Sequence, residues 1–271
     1  MFSILNTFGS GMDESKLDKS KITIETHSPV YITMSTIPSR LKTTFKIIEN
    51  MLNNISGIEK LILNVPFRYN RWPNMKLDLT HNITDGRFIL NRCEDHGPLT
   101  KFLPTLSLVP DNSILIIRDD MCYQLKSFKE IAEIQDRRRS ESFSFFVYKY
   151  NNKNNNEDNK NVLVPQGADL ISMYVRNVKD FPFWFSNLKR KLGVKNYFEN
   201  PCFFVDDQVI GWYFQYIGIP MVQVDRKHRY IYIKDCDKGP EHDNLNKQKG
   251  QHSRENTMMN CYSDLSKIYP L

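Results

Sequence analysis

The chain has 271 residues, 40% of them hydrophobic, which suffices for one large α/β domain or two small ones with a substantial core. Its formal charge of +6 comes from Lys and Arg scattered among many acids with no long basic block, so a phosphate-bearing small ligand suits it as well as nucleic acid does. Nowhere do 18 uncharged apolar residues occur together, so no membrane-spanning helix is expected. The cysteines Cys93, Cys122, Cys202, Cys236 and Cys261 are widely spaced, odd in number and lack a C-x-x-C pair; they read as free thiols in a reducing compartment rather than a zinc site.

Residues 1–28 are polar and weakly patterned, as in a flexible or loosely docked lead-in. The domain, 29–235, opens with the strand "VYITMS" (30–35) and a helix over 38–54, with Pro38 in its first turn and Leu41, Phe45, Ile48 and Leu52 on one face. Strands "KLILNVP" (60–66) and "RFILNRC" (87–93) follow, with a loop between them. Next come a short helix over 100–109 that tolerates Pro104 near its start, the strand "SILIIRD" and a charged helix over 127–141.

The second half begins with the strand "SFSFFVYKY" (142–150) and an Asn-rich tract (151–161), read as an exposed hairpin-like insertion. Strand-like sequence resumes over 162–175, and an aromatic-rich helix spans 180–192. A helix from about Asp206 to Tyr216 stops at Gly218 before a strand from Met221, and a polar tail runs over 236–271. Short apolar runs alternating with helices imply a single α/β domain with a mostly parallel, Rossmann-like central sheet flanked by helices. Ligands bind such sheets beyond the C-terminal strand ends.

Four polar clusters interrupt this pattern: "STIPSR" (35–40), "EDHGPLTK" (94–101), "IRDDM" (117–121) and "FFVDDQV" (203–209). The first three follow strands, so the topology brings them to one edge. Asp206 and Asp207 open a helix, where acids cap free N–H groups as readily as they do chemistry. "PQGADL" (165–170) places a Gly within strand-like sequence, as in a pocket lining or a bulge. The aromatics Phe181, Phe183, Trp184 and Phe185 read as core more than as sugar-stacking rings. His252 reads as a solvated tail histidine.

The order T-x-P-S-R (36–40), D-x-G-P-x-T-K (95–101), an Asp run ending the next strand, and C-F-x-x-D-D (202–207) resembles the nucleotide-sugar-dependent glycosyltransferases of the GT-A fold, a group found in bacteria and large DNA viruses. The resemblance covers about residues 30–225. It implies transfer of a sugar from a UDP- or GDP-linked donor to a glycan or other hydroxyl acceptor, with inversion. It implies that Thr36, Arg40, Asp95, Gly97, Lys101, Arg118 and Asp119 hold the nucleotide. Asp120, with Asp119, would bind Mn²⁺ or Mg²⁺.

Asp207 or Asp206 would be the base that deprotonates the acceptor. Arg118 stands where the pattern has an acid: either it takes that acid's place against the nucleotide, weakening or replacing the metal, or the site is a degenerate binder of sugar nucleotides or glycans. An unrelated nucleic-acid-binding α/β protein is the alternative of another class, but the two dense basic stretches, "DRRRSE" and "NLKRKLG", look like helix surfaces, so no nucleic-acid partner is expected. The expected location is the cytoplasm, for a viral protein the host cytoplasm or virion, and the oligomeric state stays open.

Overall fold

The computed structural model describes residues 17–118, 123–145, 148–149, 165–166, 170–193, 200–224 and 254–270. It is a mixed α/β domain built on one seven-stranded sheet. The strands of that sheet are β2 (Val30–Ser35), β4 (Lys60–Pro66), β5 (Phe88–Cys93), β6 (Ile114–Arg118), β7 (Ser142–Ser144), β10 (Leu170–Tyr174) and β11 (Met221–Gln223). Two short strands, β1 (Ile22–Thr23) and β3 (Ile55–Ser56), pair parallel beside it. β8 (Tyr148–Lys149) and β9 (Pro165–Gln166) pair antiparallel on either side of the Asn-rich tract, which lies outside the described residues.

From one edge the order is β5-β4-β2-β6-β10-β7-β11. All neighbours run parallel except around β10, which is antiparallel to both β6 and β7. The sheet strands taken by their place in the chain read 3-2-1-4-6-5-7, whose first four follow the order of a Rossmann nucleotide-binding half. The chain leaves β2 in one direction and β6 lies on its other side, so the switch point, where a crevice opens in such sheets, falls between their C-terminal ends.

The strands are apolar on both sides because both faces are covered. In register, Ile32 lies between Leu61 and Ile116. Alternation then sends Ile32, Met34, Leu61, Leu63, Ile114 and Ile116 to one core, and Tyr31, Ile62, Leu115, Ile117, Ile171 and Met173 to the other. The first core is roofed by α1 (Leu41–Asn54) and α2 (Leu125–Arg137), whose buried residues recur at helical spacing. The second is roofed by α4 (Phe181–Lys191), which follows the single turn α3 (Val175–Val178), and by α5 (Asp206–Tyr216) and α6 (Arg254–Ile268). No helix among the described residues is long and apolar enough to cross a membrane.

Several sequence expectations change. The helix over 100–109 is two 3-10 turns, Gly97–Lys101 and Leu103–Ser107, each with a proline in its first two positions. Proline starts a turn but lacks the N–H that would extend one turn into the next. The end of the lead-in is docked: β1 pairs with β3, Ile24 is buried in the first core, and Asp18 Oδ2 accepts from Leu125 N at 2.8 Å at the start of α2. The polar tail contains α6, which buries Cys261 and Leu265 in the second core, with Tyr269 just past its end.

The expectation of free thiols fails for two cysteines. Cys202 and Cys261 form a disulfide across 59 residues, a pairing invisible in spacing because the partners meet only when α6 folds back. Cys93 is free and buried, and burial, with Asp95 nearby, pushes its thiol up to about 11. Cys122 and Cys236 lie outside the described residues.

Candidate functional site

At the carboxyl edge, the turn Gly97–Lys101 sits on the second-core side of β2 and β4. Thr33 Oγ1 donates to the Lys101 carbonyl at 2.7 Å and stands 2.6 Å from Thr105 Oγ1. Asn64 Nδ2 donates to Thr105 Oγ1 at 2.7 Å and Thr33 Oγ1 at 3.0 Å, and Asn91 Nδ2 donates to Asn64 Oδ1 at 2.7 Å. This buried polar ladder fixes the turn from beneath, and a fully paired network of this kind specifies one geometry. Sequence reasoning missed it. Its signal is a Thr and an Asn at inward positions of otherwise apolar strands.

Gly97 has φ +61°, and a Cβ there would lie 2.6 Å from the Phe203 ring and 2.8 Å from its carbonyl oxygen. Only glycine meets both demands. The close approach locks the turn to the 3-10 turn Pro201–Phe204, which leads directly into α5. That 3-10 turn is itself capped by Asn200, whose Oδ1 accepts from Cys202 N at 2.8 Å.

The consequence is a buried charge cluster. Lys101 Nζ lies 2.7 Å from Asp206 Oδ2 and 3.9 Å from Asp207 Oδ1, with side-chain exposures of 5%, 8% and 11%. The structure thus brings Asp206 and Asp207, which open a helix, to Lys101 at the edge where strand order places it. The N-cap position of α5 is Val205, with no side-chain cap, so neither aspartate is the N-cap residue; both stand in the first turn. Lys101, expected at base or phosphate, points its ammonium at the two carboxylates.

Asp95 is spent on architecture. Its Oδ1 accepts from Gly97 N at 2.9 Å, and its Oδ2 accepts from Asn70 N at 2.6 Å and Asn70 Nδ2 at 3.0 Å. One carboxylate therefore joins the turn to the loop after β4. The same loop reaches β2, because Tyr69 donates its hydroxyl hydrogen to the Thr36 carbonyl at 2.7 Å. Burial, with Asp95 nearby, raises the Tyr69 phenol above its ordinary range. His96 is held below its ordinary value by burial and by Lys189, against the pull of Glu94 and Asp95.

Thr36 and Arg40 belong to the start of α1: Thr36 Oγ1 lies 2.7 Å from Thr44 Oγ1, and the Arg40 carbonyl accepts from Thr44 Oγ1 at 3.0 Å. Arg118 ends β6 at the switch point, but its side chain turns to the first-core side. There it is buried, with Nη1 3.6 Å from Met34 Sδ and its guanidinium 5.8 Å from the Tyr123 ring centre. Arg118 and Lys101 thus share an edge while lying on opposite faces of the sheet. Asp119, Asp120, Gly167 and His252 fall outside the described residues. Among the described residues no group of three or more His, Cys, Asp or Glu is placed to hold a metal ion. The aromatics Phe181, Trp184 and Phe185 are core, as expected, while Phe183 is exposed.

No family model matches the chain, and no curated protein matches it. Among solved structures it is similar to the 2-C-methyl-D-erythritol 4-phosphate cytidylyltransferase of Francisella tularensis, at 12% identity and TM-score 0.45 over 74% of this chain and 92% of that one. A 4-diphosphocytidyl-2C-methyl-D-erythritol synthase from Anaerococcus prevotii matches at 10% identity and TM-score 0.45, over 80% and 92%. At this identity and TM-score the likeness says nothing of activity. The class that the fold itself defines is the Rossmann-like α/β proteins with a mostly parallel sheet.

Proposed function

We propose that the chain is a glycosyltransferase that moves a sugar from a nucleoside diphosphate donor to a glycan or other hydroxyl acceptor. The observation that carries this reading is the buried Lys101–Asp206–Asp207 cluster, set beyond the strand ends of a 3-2-1-4 parallel half. Such an edge is where α/β sheets receive nucleotides, and the order of the motifs around it resembles that of GT-A enzymes.

In this reading the acceptor hydroxyl gives its proton to Asp207, the carboxylate further from the Lys101 ammonium, as its oxygen attacks the sugar carbon. Asp206, at 2.7 Å, neutralises Lys101 and keeps the cluster in place. Thr36, Arg40 and Arg118 are the residues at that edge that would meet the diphosphate, Arg118 by turning out of its buried place beside Met34. Asp119 and Asp120, which continue the chain from Arg118, are the carboxylates that would hold Mn²⁺ or Mg²⁺. Such a cation supplies charge stabilisation to the departing diphosphate.

Calorimetry with UDP and GDP, in Mn²⁺ and in excess chelator, tests the reading. The expected outcome is binding of one diphosphate that Mn²⁺ strengthens, with the gain lost more fully in Asp120→Asn than in Asp119→Asn. Equal affinity in chelator would remove the metal and leave Arg118 as the cation at the diphosphate. Absence of binding to any nucleoside diphosphate would remove the glycosyltransferase reading altogether.

A further inference from the structure

The helix α4 has an outer surface that neither the core nor the site uses. Its inner face buries Phe181, Trp184, Phe185 and Leu188. On the outside Phe183 is 74% exposed, the most exposed of the large hydrophobic side chains among the described residues. Ser186, Asn187 and Arg190 follow it along the same stripe at helical spacing.

The charge around this ring is one-sided. Residues 179–191 hold the cations Lys179, Lys189, Arg190 and Lys191 against one acid, Asp180. Two of the lysines lie along aromatic faces, with Lys191 Nζ 4.3 Å from the Tyr269 ring centre and Lys189 Nζ 5.2 Å from that of Phe185. These two ammonium groups thus rest over aromatic faces at the margin of the second core. Tyr216, 51% exposed, adds a second ring through its contacts with Trp184 and Tyr269.

We infer that this surface of α4 binds an anionic lipid bilayer peripherally, with Phe183 inserted between headgroups and the surrounding lysines and arginine against their phosphates and carboxylates. An aromatic side chain beside several cations is the pairing that holds a helix in the plane of a membrane interface, where apolar insertion and charge act together. Nucleic acid fits less well. Its strands are held in grooves with successive stacking rings, whereas Phe183 stands on α4 beside mainly lysine, a point charge rather than a planar fork.

The binding itself does not depend on the nucleotide reading.

Co-sedimentation of the full chain with vesicles tests the inference, using pure phosphatidylcholine and phosphatidylcholine with about 30 mol% phosphatidylserine. Binding is expected to the second vesicle only, and to fall steeply between about 0.05 and 0.5 M salt. Phe183→Ala should weaken it about fivefold or more. Lys179→Glu with Arg190→Glu should weaken it more than about tenfold, since each cation near such a surface contributes about fivefold. All three positions are exposed, so the variants should keep the melting temperature and nucleotide affinity of the parent. Failure to distinguish the two vesicles overturns the inference, as does vesicle binding indifferent to these substitutions. Binding of single-stranded DNA, but not vesicles, with the same dependence on the variants would replace the lipid by nucleic acid.

Discussion

Asp206 and Asp207 are neighbours in sequence with different surroundings, and their roles separate on that ground. Asp207→Asn is expected to fold and bind nucleotide normally while transferring sugar at least about 100-fold more slowly, the usual effect of removing a general base. Asp206→Asn leaves the buried Lys101 without its 2.7 Å partner and should cost about 3 kcal/mol of stability in urea melts. Unchanged transfer rates in both variants would move the base elsewhere. At the opposite edge of the sheet Asp136 is a purely structural acid. Burial alone would raise its pKa. Hydrogen bonds from His27 N and the His27 ring, from the Tyr174 hydroxyl at 3.0 Å and from Ser28 N outweigh this, and Arg139 stands 3.6 Å away; the net shift is downward. The unfolded chain therefore binds a proton here more readily than the folded one. This stabilisation is complete above the ordinary value of 3.8 and is lost as pH falls below it. Asp136→Asn should lower stability by about 2 kcal/mol at neutral pH and flatten the decline below about pH 4, as read from melting temperature against pH.

Elements were legible where periodicity is strong. A helix from about Asp206 to Tyr216 was expected, and α5 spans Asp206–Tyr216, because two acids open the helix and Gly218 follows its end; β2 and β4 were readable as unbroken apolar runs. Elements whose partners are distant in sequence were not legible. Of the strand expected over 142–150, the described residues give Ser142–Ser144 to the sheet and Tyr148–Lys149 to the pairing with β9, and β7 meets β10 and β11 over short stretches. α6 has a polar composition, and its apolar face is defined only by the second core and by Cys202. Its attachment can be tested: reducing the Cys202–Cys261 bridge, or Cys202→Ser, removes a loop closure of 59 residues and should cost about 4 kcal/mol in the chain-entropy model. Hydrogen exchange should show the loss first in α6, which keeps the Trp212 Nε1 to Tyr269 carbonyl bond at 3.2 Å and its core contacts. A melting temperature indifferent to reductant would mean that those contacts hold α6 without the bridge.

The whole molecule has two unlike edges. The amino edge is closed by structural bonds among Ser28, Asp136 and Tyr174, with Ser28 Oγ 2.6 Å from the Tyr174 hydroxyl. The carboxyl edge gathers the sequence clusters around Thr36, Gly97, Lys101, Arg118 and Asp206. Strand polarity foretold the edge for the clusters around Thr36, Lys101 and Arg118 but not for Asp206, and the face taken by each side chain was not legible: Arg118 and Lys101 part to opposite sides because alternation along β6 turns Arg118 away from the side that Ile117 faces. A ligand at the switch point must therefore touch the margins of both layers, α1 on one side and the Gly97–Lys101 turn with α5 on the other. Hydrogen exchange with and without the tightest-binding nucleoside diphosphate reads this directly. Added protection is expected over residues 36–41, 97–102 and 206–209, with none over 27–29 or at Tyr174, whose amides lie at the closed edge. Protection confined to one layer would place the ligand on a single face of the sheet and leave either Arg118 or Lys101 outside the site. Protection at the amino edge would displace the site from the switch point.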